Sequence, residues 1–393
     1  MNTNQYTKIQ SRWKYFVFLF LYYALYPFCK LLYGRKKNWL ICERNDEAQD
    51  NGFVFFRYLV KNHPDINAIY LINKNCKQFE KVKNTGKTVE FGSVKHFLMV
   101  IGCPVKISSQ LFGYAPWVQL KTFYRRNKTK DIHVFLQHGI TKNDHEGFYK
   151  ENCSSLKLFV CGGKPEYDAI KLRHHYSESD VPQYTGFARY DLLNDFVCKK
   201  QIIVMPTWRL SLTDASDSEF LASDFYKNWK GLMENNLFLQ KSKHNGIDIC
   251  FYLHHSFKQY SHLINFGPDI KFINFGEMDV QQILKESLLL ITDFSSVFFD
   301  FAYMNKPIIF FQFDENTFYD KHYAKGYFDY RRDGFGDVCL SIDDVVHSYT
   351  KIVDNKFIND SKYSKRASDF FVYRDDKNCE RIYESILRLR RNE

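Results

Sequence analysis

Residues 288–311, LLLITDFSSVFFDFAYMNKPIIFF, leave little choice of local fold. Leu288 to Ile291 is an apolar run with the length of a buried strand, and it breaks at Thr292-Asp293-Phe294-Ser295-Ser296. An apolar stretch of helical character follows, and Pro307 to Phe311 reads as a second strand. Strand, polar tip, helix, strand is the repeat of a parallel sheet, in which a crossover must join successive strands. In an open sheet of this kind a ligand sits beyond the carboxyl ends of the strands. Ser295 and Ser296 would then open a helix, where unpaired N–H groups and the dipole favour an anion. The phosphates of a nucleotide suit that position, while a plain N-cap accounts for one serine equally well.

The same rhythm runs through most of the chain. Strand candidates are Trp39 to Cys42, Ala68 to Ile72, Thr88 to Phe91, Val105 to Ser108, His133 to Gln137 and Leu158 to Cys161. Helical patterns fall at Asp50 to Val60 and Val94 to Ile101, and Gly162-Gly163-Lys164-Pro165 has the turn chemistry of a helix start. After Tyr190 the series restarts with Ile202 to Met205, a helical region from Ser218 to about Leu239, then Ile247 to Leu253 and Ile270 to Asn274. A chain of 393 residues can bury two ordinary cores. The expected architecture is α/β, with two Rossmann-like domains facing each other across a cleft and a boundary near 185 to 200. The parts are 1–37, a basic aromatic segment; 38–190, an acceptor-side domain; and 191–393, a nucleotide-donor domain.

Charge is unevenly spread. The chain carries 55 Lys and Arg against 45 Asp and Glu, yet no acidic residue precedes Glu43. Lys8, Arg12, Lys14, Lys30, Arg35, Lys36 and Lys37 flank YFVFLFLYYALYPFC, Tyr15 to Cys29. That run falls short of the roughly 20 residues a membrane span needs and has no clean signal-peptide cleavage site. It reads as a helical, membrane-associating segment, interfacial or re-entrant, with a full span and an ordinary buried helix as the alternatives. Basic flanks of this kind favour the anionic lipid of a cytoplasmic membrane face. Ten cysteines with no CxxC pair argue against structural zinc and a dense disulfide framework. No GxGxxG follows the first strand, and GxxxxGK[ST], HExxH and zinc-finger spacings are absent, so neither a nicotinamide site, a P-loop nor a nucleic-acid module is indicated.

Five polar clusters fall where strands should end: Gln137 to Lys142, Tyr184 to Asp191, Pro206 to Arg209, His254-His255, and Thr292 to Ser296. His138 follows a strand and precedes Gly139, which permits a sharp turn or a close ligand approach. Its imidazole is either a base for an acceptor hydroxyl or a hydrogen-bonded loop residue. Thr141 and Lys142 either orient a phosphate or face water. His254 closes an apolar strand, as an acid, a donor to a phosphoryl oxygen, or a satisfied core group. Strand alternation should point its ring away from that of His255. Arg209 either grips phosphate with its planar fork or forms an ion pair at a domain edge. Thr207 and Thr292 share these strand-end clusters. Asp293 either fixes its loop or meets a sugar hydroxyl, and Arg189 and Asp191 read as a hinge pair. Arg331 to Gly336 is either a closing loop or a solvated basic turn.

Together these segments resemble the CDP-glycerol glycerophosphotransferase family of teichoic-acid and capsule synthesis, over roughly residues 38 to 385. ITDFSSVFFDFAYMNKPIIFF (291–311), YTGFARYD (184–191) and MPTWR (205–209) carry the resemblance most specifically, with CERNDEAQDNGFVFFRYL (42–59) and FGSVKHF (91–97) beside them. It implies a GT-B type fold and a CDP-alditol donor, commonly CDP-glycerol. It also implies transfer of alditol phosphate to a hydroxyl of a lipid-linked polymer at the cytoplasmic membrane face, releasing CMP. By the same resemblance His138 corresponds to the acceptor-side base and His254 to the histidine near the pyrophosphate. Arg209, Ser295 and Ser296 fall where the donor's phosphates should lie. Gln137 and Ile140 depart from the commoner Trp-His-Gly-Thr form, and His255 replaces a usual proline. The resemblance calls for no redox cofactor and no nucleic-acid partner, and no carboxylate cluster demands a divalent metal. CDP-ribitol transfer, nucleotide-sugar transfer and non-enzymatic polymer binding are the rival functions.

Overall fold

The computed structural model describes residues 3–144, 153–174, 176–274, 277–321 and 324–391. By contacts the chain forms two compact units. One takes residues 1–138, 146–191 and 375–393, and the other takes 139–145 and 192–374.

In the first unit seven parallel strands, β1 (Asn38–Cys42), β2 (Asn67–Ile72), β3 (Lys87–Glu90), β4 (Val105–Ser108), β5 (Ile132–Phe135), β6 (Leu156–Cys161) and β7 (Pro182–Tyr184), stand in the order β3-β2-β1-β4-β5-β6-β7. The order reverses direction between β1 and β4, so the crevice beyond their carboxyl ends is the natural ligand position of this sheet. Both strands are buried throughout, as expected of central parallel strands covered on two faces. Lys106 of β4 is tolerated there because its Nζ donates to Asp131 Oδ2 at 2.7 Å and to the Cys103 carbonyl at 2.6 Å.

The second unit repeats the plan with six parallel strands: β8 (Gln201–Met205), β9 (Asp248–Tyr252), β10 (Ile270–Ile273), β11 (Leu290–Thr292), β12 (Ile308–Phe311) and β13 (Gly336–Cys339). Their order is β10-β9-β8-β11-β12-β13, which puts the reversal between β8 and β11. The core around this sheet is strongly aromatic, with Trp229, Phe220, Phe251, Phe257 and Phe311 all buried.

Several expected elements differ. The region read as one helix from Ser218 to about Leu239 is three, Asp217–Ala222, Asp224–Met233 and Asn236–His244. Ser216, Ser223 and Asn235 each cap a new start by accepting a backbone N–H, which is what these side chains favour over continuing a helix. β7 and β13 were not read from sequence: one opens on Pro182 and the other on Gly336, and neither is a long apolar run. Arg331 and Arg332 lie on a short helix, Tyr330–Asp333, that leads into β13. The last residues, expected in the second domain, group with the first unit. Asp191 accepts from the backbone N–H groups of Asn378 (2.8 Å) and Cys379 (2.9 Å), and Arg381 donates to the Thr185 carbonyl. Gly186 sits at a φ of 77° directly against the Asn378 side chain, leaving no room for a Cβ.

The N-terminal helix, Thr3–Tyr33, is longer than its apolar run. It continues past Lys30 because that ammonium turns inward to Asp131 at 2.5 Å. Trp13–Tyr33 is long and apolar enough, by length and composition, to cross a membrane. One face packs into the first unit through Phe18, Tyr22 and Cys29. The opposite face exposes Trp13, Phe16, Phe20 (75%), Tyr23, Phe28 and Leu31 (81%).

Candidate active site

The first unit builds a histidine site at its strand ends. Gln137 has a φ of 59°, a left-handed conformation that costs a non-glycine residue energy and is kept only where neighbours hold it. Two groups do so. Asn51 Nδ2 donates to the Gln137 carbonyl at 2.8 Å, and Gln137 Nε2 donates to the Val160 carbonyl at 2.7 Å. The turn expected at Gly139 is therefore made one residue before His138. The resulting bend presents the imidazole to solvent, with one ring N–H on the Ser109 carbonyl just beyond β4. In the neutral form the other nitrogen keeps its lone pair and can accept a proton.

The surroundings keep that form dominant. Protein crowded around the ring lowers its pKa below the ordinary histidine value, Asp50 opposes this, and Arg189 reinforces it. The edge of the ring stays open to solvent, which limits the burial effect. Arg189 Nη1 bridges Asp50 Oδ1 (2.9 Å) and the His138 carbonyl (3.2 Å), and its backbone N–H donates to Asn51 Oδ1 at 3.0 Å. Glu43, just after β1, in turn gathers the backbone N–H groups of Gln49, Asp50 and Phe53, fixing the start of the helix Asn51–Asn62.

The second unit holds the other candidates at the ends of β8, β9 and β11. Thr292 is fully buried and donates to the Met205 carbonyl, joining β11 to β8. Asp293 is also fully buried and accepts from the Thr207 N–H at 2.8 Å, the Phe294 N–H at 2.6 Å and Arg209 Nη2 at 2.8 Å. The Arg209 fork, expected to face a phosphate, faces two carboxylates: Nε and Nη2 also donate to Asp314 at 2.7 and 2.9 Å. Burial opposes its charge, but Asp293 and Asp314 outweigh this and raise its pKa. The guanidinium is 5% exposed and flanked by the rings of Phe225, Phe294 and Phe318. The Thr207 hydroxyl is buried without a hydrogen-bond partner among the described residues.

Ser295 and Ser296 are half-exposed in the turn before a six-residue helix, Phe298–Tyr303, so they precede rather than form its first turn. Ser295 Oγ accepts from the Val297 N–H at 3.5 Å. A Cβ on Gly139 would lie 3.2 Å from Ser296 Oγ, so Gly139 serves close approach. His254 caps a 3-10 helix, His255–Leu263, with Nδ1 accepting the Ser256 N–H at 3.2 Å. The neutral ring then carries its proton on Nε2. Its ring stands 4.3 Å from that of His255, not opposite to it, because β9 ends at Tyr252 and strand alternation no longer applies. Among the described residues no three His, Cys, Asp or Glu side chains group as a metal cluster.

The comparisons bear on this geometry. A model of the family described as CDP-Glycerol:Poly(glycerophosphate) glycerophosphotransferase matches residues 26–388. The chain belongs to that family. The minor teichoic acid biosynthesis protein GgaB of Bacillus subtilis (strain 168) is 30% identical over 375 residues, which cover 92% of this chain and 41% of GgaB. The teichoic acid poly(ribitol-phosphate) polymerase of Bacillus spizizenii is 27% identical over 208 residues, 51% of this chain and 29% of the polymerase. The chain thus spans about two fifths of GgaB's length. In fold it is similar to the wall teichoic acid polymerase TagF, with a TM-score of 0.66 at 17% identity over 100% of this chain and 98% of that one.

Within this glycerophosphotransferase family chain, sequence reasoning singled out His138 but missed most of what holds it. Asp50 and Asn51 lie inside the segment CERNDEAQDN, and Glu43 is its second residue. Their signal was three acidic or amide side chains just past the first strand of a parallel sheet.

Proposed function

We propose that this chain transfers glycerol phosphate from CDP-glycerol to a hydroxyl of a lipid-linked, teichoic-acid-like or capsule polymer, releasing CMP. The observation that carries the reading is the family match over residues 26–388. In this mechanism the acceptor oxygen attacks the phosphorus bonded to glycerol, its proton passes to the free nitrogen of His138, and the bond from that phosphorus to CMP breaks. His254 donates from Nε2 to the departing phosphate, neutralising charge that develops as the bond opens. Ser295, Ser296 and the unpartnered hydroxyl of Thr207 face the donor, and Arg209, Asp293 and Thr292 hold the loops that carry them.

Ribitol phosphate from CDP-ribitol is the second reading, favoured by the similarity to a poly(ribitol-phosphate) polymerase. One experiment separates them. The purified protein is incubated with CDP-glycerol or CDP-ribitol and a panel of lipid-linked primers. CMP release that requires both CDP-glycerol and a primer is the expected result. Release with CDP-ribitol alone moves the assignment to ribitol, and no donor-dependent release with any primer removes the enzymatic reading.

The N-terminal helix supports a place on the cytoplasmic membrane face. We read it as monotopic, its inner face on the protein and its outer aromatic face in the lipid headgroup and acyl boundary. Phe16→Ser, Phe20→Ser and Leu31→Ser combined should lower partition onto anionic vesicles at least about tenfold, since each buried apolar side chain is worth roughly 1.5–3 kcal/mol. Phe18, Tyr22 and Cys29 remain intact in that variant, so the fold is kept. Undiminished co-flotation would remove the helix from membrane attachment.

A further inference from the structure

Arg209 is spent on Asp293 and Asp314, so a phosphate at Ser295 and Ser296 needs another positive partner. The same unit holds a candidate, on the loop whose first residue passes Ser296. Lys142 is 5% exposed, and it lies on the loop from Gly139, which groups by contacts with the second unit. Two neighbours hold the backbone of that loop. Gly139 passes against the Ser296 side chain, and Gly326 packs so tightly on the Lys142 carbonyl that no Cβ would fit.

The ammonium itself is poorly satisfied. Its hydrogen bond is a long one, 3.4 Å to Asn143 Oδ1, and Nζ lies 5.7 Å from the centre of the Tyr330 ring. Among the described residues it forms no ion pair. Asp293 is near enough to be felt, but its oxygens are taken by two backbone N–H groups and Arg209. Burial lowers the Lys142 pKa to about 8 even with Asp293 pulling it up. The buried hydroxyls of Thr207 and Tyr330 have no hydrogen-bond partner among the described residues. Thr207 is bonded to Asp293 through its backbone, and Tyr330 feels the charges of Asp293 and Arg209. A weakly bonded buried cation and two buried hydroxyls without partners among the described residues are costly to keep. They are what a diphosphate would satisfy.

We propose that Lys142 is the cation that receives the diphosphate of the nucleotide donor; this rests on the donor-side reading of Ser295 and Ser296 above. The test is calorimetric titration of the full chain with cytidine, CMP and CDP, for wild type, Lys142→Met and Lys142→Arg. Lys142→Met should weaken CDP about 10- to 100-fold, the worth of one hydrogen bond between charged groups. Cytidine should bind the variant as it binds wild type, because it has no phosphate. Lys142→Arg should recover part of the CDP affinity. The melting temperature of Lys142→Met should stay level or rise, since a buried, weakly bonded ammonium is removed. CDP affinity within twofold of wild type would overturn the proposal. So would a fall in melting temperature with cytidine and CDP weakened together, which would make Lys142 a counter-charge for the Arg209 cluster. If wild type does not prefer CDP to cytidine, the donor-side reading itself fails, and that outcome is separate from the other two.

Discussion

His138→Ala should lower turnover by about 10²- to 10⁴-fold, the usual contribution of a positioned general base, while CDP affinity stays near that of wild type. The split follows from where the side chain stands. His138 belongs to the first unit and is anchored by the Ser109 carbonyl, Asn51 and Arg189, whereas the groups read as donor-facing belong to the second. Removing the ring takes away a proton acceptor and no donor contact. The pH profile gives a second, independent reading. A base works when neutral, so kcat/KM should fall as pH drops through the imidazole's pKa. That pKa is displaced downward by the protein packed around the ring, so the acid limb should lie below the ordinary histidine value of about 6.5. Activity is full above that limb and lost beneath it. In His138→Ala the residual rate should no longer show it. Turnover near the wild-type rate, or an acid limb that persists in the variant, would remove His138 as the base.

The sequence carried the parallel α/β series because apolar runs of four to six residues recur between helical patterns, and such runs have few other uses in a chain this size. It also placed His138, His254 and Ser295-Ser296 at strand ends. What it concealed is geometry that depends on residues far apart in the chain. Nothing local to MPTWR says that Asp314, 105 positions on, will close on Arg209. The left-handed turn at Gln137 was equally hidden, since a glycine two residues later is the commoner place for such strain and Asn51 supplies the compensation from 86 positions away. The two histidines at 254 and 255 were misread for a local reason: their alternation holds only inside a strand, and β9 stops at Tyr252. Short strands such as β13 escape notice because Gly336 and Asp337 lack the apolar character of a central strand.

Arg209→Ala should cost on the order of 3–5 kcal/mol of stability, the loss seen when one partner of a buried ion pair is removed. Asp293 is wholly buried and the Asp314 side chain is 15% exposed, and both would lose the guanidinium they pair with. Their remaining hydrogen bonds come partly from backbone N–H groups, which partly compensate Asp293 and set the upper bound. Rings of Phe225, Phe294 and Phe318 pack around the guanidinium, so truncation also leaves a cavity. For a unit of this size that corresponds to a fall of roughly 10 °C in its melting temperature. Arg209→Lys should recover only part, because an ammonium cannot satisfy two carboxylates with a planar fork. Adding Asp314→Asn to Arg209→Ala should restore stability, since one stranded charge disappears. A donor-binding arginine predicts the opposite pattern: melting temperature unchanged, CDP affinity lost, and no rescue by Asp314→Asn. Because the same loop carries Thr207, whose backbone N–H is held by Asp293, activity should fall in Arg209→Ala under either account. The melting temperature and its rescue therefore decide between them.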